Sequence, residues 1–595
     1  MAILLLIAVF LPAVGALLLP GNRQTARLAA LAVALAVLGM AVALASQFPP
    51  STTASAPFAL TDWHWLDWTG AAIDVRFSIG LDGLSLWLFA LTTLLSVVAV
   101  LIGWEAIEER AALYYRLLLI LETGMLGVFV ARDIILFYVF FETTLIPLFF
   151  LIGIWGGPQR RYAAMKFFLF TLSGSLLTLL GLLTIVLWNY YAPAGPAART
   201  LTFSIPDLTA ALRNHPIDPS LQVWVFLALF AGFAIKTPLF PLHTWLPLAH
   251  VEAPTAGSVL LAGVLLKVGT YGFARFNLPM LPHAAATLMP WLMWIALAGV
   301  VYGALVALAQ GDIKRLVAYS SVSHLGFCML GLFALNRLSV QGGVLQMVNH
   351  GLATGGLFAV VGMIYERYHT REIDDFGGLA RRLPVLAFFM LVLTLSSIAL
   401  PGLAGFSGEF VLLLGVFQRG WAEVASPHWL QLRLIAVLSM SGVVLGAWYM
   451  LWMYQRVFFG EKEGPGARDQ GPDTHDHPSS LMPHPSSVAS SPLPPVEGQG
   501  AHGVHDLSLR EVLCLTPLIM MIVWIGLQPQ FFLDRMAPTL NELMTPAMKA
   551  VDESGELREE RGEGRHAFCP SPLSPLLSPL VFHPSSLTPR PSPLA

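Results

Sequence analysis

The sequence predicts an all-α polytopic membrane protein of about fourteen transmembrane helices, arranged as two inverted five-helix repeats in which helices 7 and 12 are broken. Three observations carry this prediction. Hydrophobic residues make up 56% of the chain and charged residues only 12%, against about 25% charged in ordinary soluble domains. The apolar residues run in stretches of ~20, enough to cross a hydrocarbon core about 30 Å thick, and the stretches are apolar all round rather than along one stripe. Proline-bearing breaks recur five spans apart, and an odd offset reverses the direction of the chain through the membrane. The lipid bilayer is therefore an obligatory partner, whereas a net charge of −3 gives no reason to expect nucleic acid.

Residues 1–110 hold three spans, at about 2–20, 27–47 and 81–103. The first lacks a basic leader and reads as a retained helix rather than a cleaved signal. Residues 111–278 supply spans four to eight, at 112–131, 134–156, 165–188, 222–250 and 254–275. The span at 222–250 is broken, because Pro238, Pro241 and Pro247 each remove a backbone donor and crowd the carbonyl of the preceding turn. Residues 279–460 supply spans nine to thirteen, at 284–309, 313–334, 339–365, 383–417 and 434–455, with a break at Pro401-Gly402 that reads as the counterpart of the one at Pro238. A last span, 511–533, falls within the segment 508–535, and residues 536–595 read as a low-complexity tail. The insertion 461–507 and the stretch 552–595 are rich in Pro, Ser and His and share a short repeat, HPSSL at 477–481 and 583–587 and HPSSV at 484–488. Such composition cannot bury a core and predicts disorder. His475, His477, His484, His502 and His505 offer weak metal ligands there, but a tolerated low-complexity loop is the simpler reading.

Basic residues set the orientation. Sixteen Lys and Arg fall in one set of loops and eight, Arg275 among them, in the alternate set before the tail, which puts the richer side in the cytoplasm and both termini outside. Beyond Arg116 near a span end, Lys236 and Lys267 are then the basic side chains left deep in the membrane. Cys328, Cys514 and Cys569 lie far apart and form no CxxC or Cys/His cluster, so neither a disulfide framework nor an iron–sulfur or zinc site is indicated, and no electron carrier is expected here.

An ionisable side chain at membrane depth costs at least ~2.5 kcal/mol on insertion scales and is a functional hypothesis by default. Acids within spans are Glu122, Glu142 and Glu409; histidines are His243, His250, His324 and His350. Taken singly, a buried histidine is more often a hydrogen-bonded core residue than a catalyst. Taken together, Glu142, Lys236, Lys267, His324, His350 and Glu409 alternate along successive helices. Desolvation draws buried acids and bases toward titration near neutrality, and a Glu–Lys pair that opens and closes can gate a proton. Histidine titrates near neutral pH and suits a relay. Lys236, His243 and His250 are spaced by seven, which on a continuous helix would align them on one face, about 10 Å apart. Relay steps of that length need bridging water, which Ser320, Ser321 and Ser323 are placed to help hold.

Four stretches carry a resemblance: FYVFFETTLIPLFFLIGIWG at 137–156, AIKTPLFPLHTWLPLAHVEAPTAGSVLLAGVLLKVGTYGFARF at 234–276, GDIKRLVAYSSVSHLGF at 311–327 and LPGLAGFSGEF at 400–410. Over nearly the whole membrane part the chain resembles the antiporter-like subunits of respiratory complex I, nearest the chain M (chain 4) type of NADH-quinone oxidoreductase. The resemblance implies a subunit of a proton-translocating enzyme in a bacterial inner membrane, assembled with sister antiporter-like chains. NADH, FMN, iron–sulfur clusters and quinone are expected in other subunits, leaving no cofactor in this one. It further implies that Glu142 and Lys236 form the ion pair of the input half, that Lys267 leads to the centre, that His324 and His350 continue the axis, and that Glu409 is the terminal proton carrier. Glutamate at that last position marks the chain M type; sister chains have lysine. His243 and His250 carry over more weakly. The same superfamily includes cation/proton antiporter and membrane-bound hydrogenase subunits, which form the alternative function. A purely structural scaffold would be a third.

Overall fold

A computed structural model of the protein describes residues 1–66, 73–191, 200–422, 428–460 and 505–560. Among these residues, twelve helices are long and apolar enough to cross a membrane, and two shorter apolar helices accompany them. They fall in the predicted order. The N-terminal pair is α1 (Ala2–Leu18) and α2 (Arg23–Ser46); the Asn22 side chain caps α2 by accepting from Gln24 N. The buried stripe of α2 is Ala26, Ala30, Ala34, Val37, Ala41 and Leu44, and its opposite face exposes Leu28, Leu35 and Val42. Small residues inward and branched residues outward are what a helix needs to pack closely on neighbours while facing lipid.

A β-hairpin, β1 (Phe58–Leu66) and β2 (Ile73–Leu81), precedes α3 (Leu86–Ala106). The all-helical prediction did not include it. Its signal is short: Val75, Ile79 and Leu81 point inward from a strand with period-two alternation. Arg76 grips Asp74 through its Nε at 3.0 and 2.9 Å and reaches Asp207 at 3.6 Å. The strand β3 (Leu201–Thr202) pairs with the start of β2, and the amphipathic helix α7 (Ile205–Asn214) follows it. The hairpin, β3 and α7 therefore cover one end of the helix bundle, called here the hairpin face.

Between them run α4 (Ala111–Val130), α5 (Ile134–Trp155, interrupted at Thr144) and α6 (Arg160–Tyr191). The broken span consists of α8 (Pro219–Lys236) and α9 (Trp245–Glu252), followed by α10 (Thr255–Met280). Then come α11 (Pro282–Leu308), α12 (Ile313–Phe333) and α13 (Arg337–Tyr368). The second broken span is α14 (Pro384–Ser397) with α15 (Ala404–Ala422), and α16 (Trp429–Phe459) and α17 (Leu509–Leu527) close the bundle. At the centre stand α10, α12 and α13, buried almost throughout.

The two breaks close alike. In the first, Leu239 N donates to Ala234 O and Leu242 N to Leu239 O; in the second, Leu400 N donates to Leu395 O and Leu403 N to Leu400 O. This register sets Pro238 opposite Ala399, two residues before Pro401, and it relies on Gly402 at φ +91°, a conformation that glycine adopts without steric cost.

Several expectations need correction. Helix α18 (Pro529–Glu560) continues where a low-complexity tail was expected at residue 536. It folds because Phe532, Met536, Leu540, Leu543, Met544, Ala547 and Val551 recur at helical spacing and are buried against the bundle. Lys236 and Lys267 are not the only buried basic groups: Lys314, in the first turn of α12, and Arg275 are buried too, and Arg275 belongs to the end of α10 rather than to a loop. Lys236, His243 and His250 share no continuous helical face, because α8 ends at Lys236 and α9 begins at Trp245. Of the histidine-rich insertion, only His505 lies among the described residues; His475, His477, His484 and His502, and most of the two Pro/Ser/His-rich segments, lie outside them.

Candidate functional site

Lys236 is the last residue of α8, with its side chain buried at the break. Its ammonium stands 4.5 Å from the centroid of the Phe141 ring, a cation–π contact. Glu142, the next residue on α5, is half-buried, and its Oε1 has no hydrogen-bond partner. The expected Glu142–Lys236 pair is thus open: no ion pair within 4.0 Å joins them. Thr144, Lys236, Trp245, Leu261, Leu265 and Leu266 take part in lining a cavity of about 10 Å³, roughly the room a single water needs. It lies between Lys236 and the turn of α10 that carries Lys267.

Lys267 is completely buried. A π-helical segment, Leu261–Leu265, precedes it, and a second, Phe273–Asn277, follows. A π segment shifts the backbone ladder by one residue and leaves carbonyls available. The Lys267 ammonium donates to one of these, Ala262 O, and meets His350 Nδ1 at 2.7 Å. α10 approaches the break closely, because a Cβ at Gly269 would stand 2.2 Å from Thr237 Oγ1 and 2.6 Å from Phe233 O.

From His350 the chain of groups continues. The rings of His350 and His324 are 5.7 Å apart between centroids, and His324 Nδ1 lies 3.1 Å from Glu409 Oε1. Gln346 Nε2 donates to the same carboxylate oxygen at 2.9 Å. Asn349 Nδ2 donates to Gln346 Oε1 at 3.3 Å and to Ala404 O at 2.6 Å, tying the network to the start of α15. All of these side chains are buried, and the outward Nε2 atoms of His324 and His350 have no protein partner. With Glu409 ionised, His324 Nδ1 carries the shared hydrogen; with Glu409 protonated, the donor and acceptor roles reverse. Lys267, His350, His324 and Glu409 therefore form one buried line of titratable groups from α10 through α13 and α12 to α15.

His243 and His250 stand off this line. His243, in the break, packs its ring against Phe240, Tyr302 and Tyr319. His250 stacks on Phe358 at 4.6 Å and 6°, with neither ring nitrogen hydrogen-bonded. Ser320, Ser321 and Ser323 spend their hydroxyl hydrogens on Val317 O and Val300 O. Sequence reasoning missed Gln346, Asn349 and Lys314. The first two were legible in principle, since Gln346, Asn349 and His350 fall at i, i+3 and i+4 and so share a helix face. Lys314 donates to Val251 O at 3.3 Å and Ala253 O at 2.6 Å, satisfying carbonyls at the end of α9.

A membrane bundle with two broken spans and a line of buried lysine, histidine and glutamate between them defines an antiporter-like membrane subunit. More particularly, the chain belongs to the family described as NADH:quinone oxidoreductase/Mrp antiporter, TM, whose model matches residues 131–429. It is 37% identical over 553 residues to NADH-quinone oxidoreductase subunit M of Rhodobacter capsulatus, covering 91% of this chain and 96% of that one. To NADH-ubiquinone oxidoreductase chain 4 of Arabidopsis thaliana it is 36% identical, over 90% of this chain and 95% of that one. Among solved structures it matches a chain of respiratory complex I from Thermus thermophilus with bound NADH, at a TM-score of 0.73 and 33% identity, covering 92% of this chain and 99% of that chain.

Proposed function

We propose that the protein is a proton-translocating membrane subunit of an NADH:quinone oxidoreductase, driven by quinone reduction elsewhere in the complex. The observation that carries this reading is the continuous contact from Lys267 through His350 and His324 to Glu409, at 2.7 Å, 5.7 Å between rings, and 3.1 Å. No structural role needs four titratable groups lined up in a buried interior, where each unpaired charge costs several kcal/mol. Glu142 and Lys236 act as the input pair, open in this conformation and closed in another. Closure would hold the lysine proton; opening over the Phe141 ring would release it toward Lys267 through the intervening cavity. Lys267, His350 and His324 then pass charge to Glu409. NADH, FMN, iron–sulfur clusters and quinone are assigned to partner subunits, and this chain has no redox site of its own. It docks against other membrane-arm subunits, sister antiporter-like chains among them, in a bacterial inner membrane with both termini outside.

The test is proton pumping by the assembled complex in proteoliposomes. Lys236→Ala should cut NADH-driven pumping by roughly 10²-fold, the typical contribution of a positioned acid–base group, while NADH-dehydrogenase activity of the peripheral arm persists. Glu142→Gln should behave like Lys236→Ala, and Glu142→Asp should be milder. Normal pumping by both glutamate variants would eliminate the input-pair mechanism.

A further inference from the structure

The proton line lies close to a second feature that plays no part in it. A cavity of about 100 Å³ enters from the hairpin face. Its lining runs from the exposed residues Ser55 and Arg213 down to the buried side chains of Asp82, Arg132, Tyr271 and Arg275. Tyr271 lies four residues beyond Lys267 on regular helix, so its backbone is one turn, roughly 6 Å along the axis, from that of Lys267, whose ammonium reaches the other way to Ala262 O and His350. A file of water running on from that depth to the ammonium would short-circuit any proton held on Lys267.

The groups at the floor are ill suited to carry a proton. Arg275 pairs with Asp82 at 2.7 Å and donates from Nε to the Tyr271 oxygen at 3.1 Å. Tyr271 in turn donates its hydroxyl hydrogen to Phe129 O at 3.2 Å. A guanidinium does not release its proton, and a backbone carbonyl cannot pass one on, so this route ends at the tyrosine. The charges add a second obstacle. Arg132 is buried, donates to Ala54 O at 2.8 Å and, among the described residues, makes no ion pair. Two buried guanidiniums thus face one buried carboxylate. The cavity's other charged groups, Arg213 and Glu542, are of opposite sign and lie nearer the mouth, where Arg213 donates to the backbone carbonyl of Glu542 at 3.3 Å and the Glu542 carboxylate accepts from Ser55 N at 3.1 Å. A net positive charge at the cavity floor raises the barrier to cations and protons, as arginines do in selective pores.

We propose that Arg132 and Arg275, with Tyr271, form an electrostatic plug that stops protons passing between the hairpin face and Lys267, so that charge leaves the first half of the molecule only along the line to Glu409. The plug rests on the reading of Lys267 as a proton carrier. Its test needs no turnover: the complex is reconstituted in proteoliposomes without NADH, a pH gradient is imposed, and its passive collapse is followed with an entrapped pH dye. Arg132→Gln leaves the Asp82–Arg275 pair intact, and Arg275→Gln leaves Arg132 beside Asp82, so each brings the net charge at the cavity floor to zero and failure of one variant to assemble leaves the other. Removing the repulsion at the cavity floor should speed collapse about tenfold, the lower range of electrostatic focusing effects, whereas Arg132→Lys should hold the gradient like the unaltered protein. Adding Lys267→Ala to the leaking variant should restore the slow collapse. Slow collapse in the assembled glutamine variants, or a leak that persists without Lys267, would overturn the plug. Pumping by Lys236→Ala, in contrast, bears on the relay alone and not on the resting leak.

Discussion

A fully buried lysine must place its ammonium hydrogens, and Lys267 finds two partners, Ala262 O and His350 Nδ1. One is a carbonyl and the other a base, so only one contact can exchange a proton. In the proposed relay that asymmetry gives the residue a direction, toward His350 and on to Glu409. Replacing His350 by leucine keeps the volume and removes the base, so His350→Leu is expected to preserve assembly while lowering pumping by roughly 10²-fold; unimpaired pumping in proteoliposomes would mean that protons bypass the histidine. Much of this was legible from the sequence, because buried titratable side chains are rare enough in spans to stand out one by one. What sequence could not give was contact. Glu142 and Lys236 have long side chains whose reach depends on rotamer and on the break at Thr237, and here the lysine turns to Phe141 instead of to the acid. Gln346 and Asn349 passed unnoticed because neutral amides carry no such signal, although they fix the carboxylate of Glu409.

At the scale of elements, the breaks and the π segments make the site. Prolines announced the first break, but the matching hydrogen-bond closures, which set Pro238 against Ala399, emerge only in three dimensions. Both π segments of α10 went unread, since no residue pattern distinguishes them from α-helix. Their close neighbour Gly269 lets α10 lie against the end of α8. Gly269→Ala should force these helices apart at a cost of ~1–3 kcal/mol, visible as a lower melting temperature of the complex together with reduced pumping; an unchanged melting temperature would show that the contact yields freely. The hairpin was missed because its alternation is brief and is bounded by apolar spans that dominate the hydropathy. Burial raises the Asp74 carboxyl, but the Arg76 hydrogen bonds and charge outweigh it and hold the group below its ordinary range. Stability from a depressed carboxyl is present above its unfolded value and is lost as pH falls through the folded one, so hairpin amides should lose exchange protection below about pH 4. Protection that survives at lower pH would show that the Arg76 clasp adds nothing.

For the whole molecule, hydropathy sufficed to order the spans, because each must satisfy its backbone inside lipid and so takes the helical form. It did not show that the least apolar spans are the innermost. α10, α12 and α13 carry Lys267, His324 and His350, and the surrounding helices shield them from the bilayer. α18 eluded the reading for the opposite reason: its polar face resembles a tail, and only its stripe from Phe532 to Val551 reveals the packing. In the proposed relay, charge enters beside one of the two broken spans and leaves beside the other. The claim at the centre of this account is that Glu409 ends that path as a proton carrier. The measurement that meets it most directly is the number of protons moved per NADH oxidised by the reconstituted complex with Glu409→Gln, which retains the hydrogen-bonding shape but cannot ionise. The account predicts a lower ratio with electron input to the peripheral arm preserved; an unchanged ratio would contradict it.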